Sequence, residues 1–183
     1  MEKYERKKNS IGATNKRKGS DAERFYATLF QELGFSYCIT ARLGGRLYDN
    51  AGIDLMNIPY NIQVKGGNHK NLSPGQVLFN MYNQINSLFP ATSEVRNYPI
   101  ILIHRPFIYR KDTRDDVVYY TLEQHKRLQE TIKNPHFEYS SIKVRKIMVN
   151  SEFGEIVKVP FDSFKENVLL YKNNKNDLQN IEK

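Results

Sequence analysis

Cysteine is nearly absent: Cys38 stands alone in 183 residues, which excludes an internal disulfide and a cysteine-built zinc cluster. Long apolar runs are missing too. Stretches such as Ile100-Ile101-Leu102-Ile103 fall far short of the roughly 20 residues a membrane-spanning helix needs. The N-terminus is basic but has no apolar run behind it, so it does not read as a signal peptide, and it has no amphipathic face for a membrane surface. No Gly-x-x-x-x-Gly-Lys loop occurs, so nothing points to ATP-driven chemistry. His104, His125 and His136 lack metal-ligand spacing. The expectation is a soluble, cytoplasmic protein.

What is present supports a packed core: 39% of residues are hydrophobic and 12% aromatic, enough for one domain burying roughly 70% of its unfolded surface. The net charge of +8 is unevenly spread. Residues 1–18 hold seven Lys/Arg against Glu2 and Glu5, a net +5, leaving +3 for the other 165 residues. A basic arm on a balanced body suits a polyanionic partner, through release of counterions from phosphates. By charge alone, a solvated tail explains it equally well. The expected organisation is a flexible basic arm over 1–18, a single domain over 19–171 and a polar tail over 172–183.

Ala22, Phe25, Tyr26, Leu29, Phe30 and Leu33 recur at helical spacing. Ser20 and Glu23 have the spacing of a capping box at the start of this helix, and Gly34 suits its end. Strands are expected over 37–43, 52–57 and 60–65, with a glycine-bearing loop over 44–50. A helix follows over 74–88, opened by Pro74, then a buried strand over 98–104. A charged loop at 110–116 leads to a strand at 117–120 and a helix at 122–132. A late hairpin or edge strands fall at 142–149 and 156–159. This order predicts a mixed α/β sheet flanked by helices.

Strand alternation then suggests where the chemistry lies. Ile53 and Leu55 face one way and Asp54 the other, while Ile62 and Val64 oppose Gln63 and Lys65. A hairpin closed at Ile58-Pro59 sets Asp54 against Gln63, with Ile53 against Val64 and Leu55 against Ile62, although a longer turn suits Pro59 better. Asp54 and Gln63 offer hard oxygens of the kind Mg²⁺ accepts, and Lys65 can orient a water or offset charge developing on a phosphate. The plainer reading is a solvated face with one acid, one amide and one base. Cys38 reads as a small buried hydrophobe. Phe107, Tyr109, Tyr119 and Tyr120 read as core rather than as base-stacking groups.

Asp54 followed by Gln63-Val64-Lys65 resembles the core motif of the PD-(D/E)XK nuclease superfamily, an acid opening one strand and acid-x-lysine on the next. Arg17-Lys18-Gly19-Ser20-Asp21-Ala22-Glu23-Arg24 resembles the opening of archaeal-type Holliday-junction resolvases, and Ala41-Arg42-Leu43-Gly44-Gly45-Arg46 their arginine-and-glycine strand end. The resemblance covers roughly residues 16–68. It implies a restriction-endonuclease-like mixed central sheet flanked by helices, and a catalytic set of Glu23, Asp54, Gln63 and Lys65. Mg²⁺, replaceable by Mn²⁺, would be held by Glu23, Asp54, Gln63 and the Val64 carbonyl. Branched DNA and a homodimer are the implied partners. Candidate DNA contacts are Lys16, Arg17, Lys18, Arg24, Arg42, Arg46, His69 and Lys70, each equally readable as ordinary surface charge. Gln63 departs from the pattern, removing a negative charge where an acid is usual. The activity expected is a Mg²⁺-dependent structure-specific endonuclease, most closely a Holliday-junction resolvase. A restriction or repair nuclease, or an inactive nuclease-like binding module, are the alternatives.

Overall fold

The computed structural model describes residues 11–69, 71–132, 146–150, 154–166 and 168; for 11–16, 128–132 and 146–150 it describes the backbone only. The basic segment 1–10, Lys70 and the tail from 172 lie outside these residues.

Helix α1 spans Ile11–Glu32. It begins well inside the expected flexible arm, so residues 11–18 are helical rather than loose. Lys16, Arg17 and Lys18 are good helix formers, and adding a turn to an existing helix needs no new nucleation. The end falls as expected. Gly34 takes a φ of 91°, and its N–H reaches the Gln31 carbonyl while that of Phe35 reaches Phe30, the paired bonds of a Schellman cap.

The next region departs most from expectation. Strand β1 is only Ile39–Thr40, and the chain then coils into two short helices, α2 (Ala41–Gly44) and α3 (Arg46–Asn50). Tyr37 and Leu43, at the ends of the expected strand, are exposed and give it nothing to bury. Strand β2, Leu55–Met56, pairs antiparallel with β1 rather than forming a ladder with the strand after it. Asn57 turns through a φ of 63°, replacing the expected two-residue turn.

Strand β3 (Asn61–Gly66) opens the main sheet, and α4 (Pro74–Leu88) carries the chain back to β4 (Ile100–Arg105). Such a crossover is what a parallel pair requires, and β3 and β4 are parallel, with Gln63 opposite Leu102 and Lys65 opposite His104. Strand β5 (Val117–Thr121) leads into α5 (Leu122–Ile132), and β6 (Lys146–Asn150) pairs antiparallel with β7 (Gly154–Pro160), in keeping with the late hairpin or edge strands expected there, of which residues 142–145 lie outside the described ones. Among the described residues the main sheet has five strands in the order β3-β4-β5-β7-β6, with every pair except β3–β4 antiparallel. This is a mixed α/β sheet flanked by helices.

Each face of the sheet has its own core. Ile62, Val64, Ile101, Ile103 and Val118 pack with Tyr26 and Phe30 of α1 and with Phe161 and Phe164. Ile100, Leu102, Val117 and Tyr119 pack with Leu78, Met81 and Ile85 of α4. Ile53 belongs to the second core and Leu55 to the first, so the two do not share a face as alternation suggested. Only 55–56 is strand, and Gly52 at a φ of 73° redirects the chain ahead of it.

Candidate active site

Strand β3 is an edge strand, and its free edge builds the site. Odd-numbered residues turn their backbone groups to β4, as the Asn61 and Gly67 N–H bonds to Pro99 and Arg105 carbonyls show. Ile62 and Val64 therefore present N–H and C=O outward. The Asp54 N–H donates to the Ile62 carbonyl at 2.7 Å, and the Val64 N–H donates to Asp54 Oδ2 at 2.7 Å. Asp54 thus lies opposite Ile62, one residue from the expected Asp54–Gln63 register. The carboxylate is fastened to the sheet edge, and the Val64 carbonyl points to the same side.

Close approach brings α1 to this place. A Cβ on Gly66 would lie 2.8 Å from the Ala22 Cβ, closer than real Cβ atoms come, and 3.3 Å from the Lys18 carbonyl oxygen, a tight contact. Glycine lets the helix rest on the strand end, and Glu23 follows Ala22. Glu23 is 3% exposed. Its capping role is not realised, because Ser20 and Glu23 lie inside α1 rather than at its start. The Ser20 hydroxyl accepts from Arg24 instead. Glu23 Oε1 accepts from Arg42 Nη2 at 2.8 Å. Arg42 Nε lies 2.8 Å from Oε2, so the guanidinium faces both oxygens of this buried carboxylate.

The charges form one group. Burial raises the Asp54 carboxyl from 3.8 to about 7; the Val64 N–H opposes this, Glu23 adds to it, and Lys65 and Arg42 counter it. Burial also raises the Glu23 carboxyl, against Arg42, with Asp49 adding and Lys65 subtracting. Glu23, Asp54, Lys65 and Arg42 are therefore close enough to act on one another. Asp49, on α3, is a member that sequence reasoning missed, since an acid on a short loop helix follows no period that marks it.

Gln63 shares its face of β3 with Lys65; its amide nitrogen lies 3.2 Å, and the Gln84 side-chain oxygen of α4 3.4 Å, from where a Gly52 Cβ would be. Arg17, Arg24, Arg46 and His69 are exposed and Lys18 half-buried. Arg24 pairs loosely with Asp21 at 3.6 Å, and His69 turns to the Gly66 carbonyl. Nothing is described for the side chains of Lys16 and Lys70. Among the expected DNA contacts whose side chains are described, Arg42 alone is paired with an acid of this group.

Among the described residues no three His, Cys, Asp or Glu side chains converge into a ready cage. Mg²⁺ does not require one, since it commonly takes one or two carboxylates and completes its shell with water. The Asp54 carboxylate and the outward Val64 carbonyl are hard oxygens that suit such an ion, and the Glu23 carboxylate, held by Arg42, is the neighbouring acid that could join them. Comparison with protein-family models, with curated proteins and with solved structures gives no match.

Proposed function

We propose that this chain is a Mg²⁺-dependent endonuclease of the PD-(D/E)XK type that cuts branched DNA, working as a cytoplasmic homodimer of the Holliday-junction resolvase kind. The observation that carries the reading is Asp54, a carboxylate fixed to the Val64 N–H at an open strand edge with the charges of Lys65 and Glu23 around it. The α1 helix resting on β3, and the parallel β3–β4 pair joined through α4, suit a restriction-endonuclease-like sheet, with β1 and β2 forming a small pair of their own beside it. A homodimer suits a reaction that must cut two strands symmetrically.

Asp54, Glu23 and the Val64 carbonyl would hold the ion, which when bound supplies a polarised phosphate and a more acidic water. The chain's own residues do the rest. The Val64 N–H holds Asp54 in one orientation. Lys65 presents an ammonium to the attacking water or to the charge that grows on the phosphate. Arg42 is the group a phosphate can recruit, because its guanidinium is partly exposed and offers a bidentate fork.

The test is cleavage of a four-way junction and of linear duplex in Mg²⁺, with Asp54→Ala alongside. The wild type should cut the junction and the variant should lose at least about a hundredfold, as removal of one transition-state partner does. Equal activity in both removes the site, and preference for duplex favours a restriction or repair nuclease. A second reading, a binding module without cleavage, draws on Gln63 in place of an acid and on Glu23 being engaged by Arg42. It requires that calorimetry with Mg²⁺ or Mn²⁺ show no saturable binding.

A further inference from the structure

The loop from 106 to 116 joins β4 to β5 beside this site. Because β3 and β4 run parallel, Lys65 and the loop leave the sheet at the same end. The contact is direct: Ile108 Cδ1 lies 3.5 Å from where a Gly66 Cβ would be, and the Gly67 N–H donates to the Arg105 carbonyl at 2.8 Å.

The loop is held from within. Arg105 is fully buried, and its guanidinium stacks 3.6 Å from the centre of the Phe25 ring. It donates to Asp116 Oδ2 at 2.5 Å, to the Asp112 carbonyl at 3.3 Å and to the Arg110 carbonyl. Asp116 Oδ2 also accepts from Tyr26 at 2.5 Å. A buried arginine bonded to two main-chain carbonyls of one loop fixes that loop's path. The aromatic residues it carries nevertheless point outward: Phe107 is 51% exposed and Tyr109 77%. Tyr119 and Tyr120, on β5, are buried as expected, so the four aromatic residues divide into two kinds.

Two large flat side chains kept in water by a rigid loop suit a partner that offers flat faces. Arg110 lies 4.5 Å from the Phe107 ring centre. Its charge, like that of Arg114, is paired within the loop, with Asp115 and Asp112 respectively, which leaves the loop only mildly basic through Lys111. Stacking rather than charge is therefore what the loop can supply. We infer that Phe107 and Tyr109 form a stacking platform for nucleobases whose faces are not covered by a neighbouring base, which directs the neighbouring site to DNA with unstacked bases, such as the branch point of a junction, a flap or a single strand. This inference rests on the nucleic-acid part of the proposed function and names its substrate class. Bases inside an intact duplex already stack on one another and are not available to the platform.

The test is binding in EDTA, where nothing is cut, of fluorescein-labelled single strand, four-way junction and plain duplex. The Phe107→Ala/Tyr109→Ala protein should lose about tenfold to a hundredfold on single strand and junction, the scale of base–aromatic stacking, and less than about twofold on duplex. Phe107→Trp/Tyr109→Trp should retain binding, whereas Phe107→Leu/Tyr109→Leu, apolar but not flat, should not. An equal loss on duplex, no loss on single strand, retention by the leucine variant, or no binding by the wild type overturns the platform. Its failure is separable from that of the nuclease reading. Aromatic-dependent binding without cleavage in Mg²⁺ leaves the platform standing and removes the enzyme, and junction cleavage unaffected by the alanine variant does the reverse.

Discussion

Replacing Arg42 by alanine tests what the buried Glu23 carboxylate is for. Glu23's side chain is 4% exposed and Arg42's 39%. Breaking a fully buried pair costs about 3–5 kcal/mol, whereas an exposed pair contributes at most about 1 kcal/mol. One partner of each kind, with solvent screening the guanidinium, places the loss near about 2 kcal/mol at pH 8. The loss should depend on pH in a definite direction. Burial holds the Glu23 carboxyl above its ordinary 4.5 while Arg42 pulls it back. The folded state thus prefers the neutral form, a preference fully present below 4.5 and lost as pH rises through the folded value. Removing Arg42 raises that folded value further. Wild type and variant should therefore match near pH 4 and diverge towards pH 8. Urea denaturation at the two pH values measures this, with Glu23→Gln as the background in which the Arg42→Ala loss should shrink. A loss equal at both pH values, or unchanged in that background, refutes the reasoning. Millimolar Mg²⁺ at pH 8 should then restore the variant's stability by mass action, since the ion takes the place of the guanidinium. No restoration would give Glu23 a purely structural part.

Asp54→Asn should remove a second pH dependence. With its carboxyl pushed from 3.8 to about 7, the metal-free wild type should lose up to about 4 kcal/mol as pH rises between about 4 and 8, at about 1.36 kcal/mol per pH unit. The asparagine protein, which can still accept from the Val64 N–H, should have a shallower profile over that range in chemical denaturation, keeping only the dependence due to Glu23 and the other buried acids. Gly66→Ala should cost about 1–3 kcal/mol, the usual penalty of overpacking, and should lower cleavage beyond that by pushing α1 and Glu23 away from β3. Ala22→Gly in the same chain should recover part of the cleavage, because the Ala22 Cβ is the nearest clashing atom at 2.8 Å.

Elements with a long, single-faced pattern are legible in the sequence. The α4 stripe of Leu78, Met81 and Ile85 marks bounds of Pro74–Leu88 that the structure keeps. The apolar run of β4 and the late hairpin are equally readable. The stretch 37–56 is not, because its apolar residues serve two cores, with Ile53 on one and Leu55 on the other. A rule that assigns one face per strand fails there. Asp54 and Lys65 can be singled out by residue type. Glu23's partner cannot, since Arg42 reaches it from a short helix that resembles a strand in sequence. Arg105 reads in sequence as nothing more than a strand end, because its burial depends on acceptors at 110, 112 and 116 that only the folded loop supplies.

The parallel pairing of β3 with β4 has a consequence for how the molecule comes together. Lys65 meets His104 only after the whole intervening crossover has been made, and such distant contacts form slowly because loop closure precedes any gain from them. Until then β3 has no fixed edge on which to hold Asp54 and no fixed end on which α1 can rest. The geometry that the proposed chemistry needs is therefore completed only once that crossover has closed.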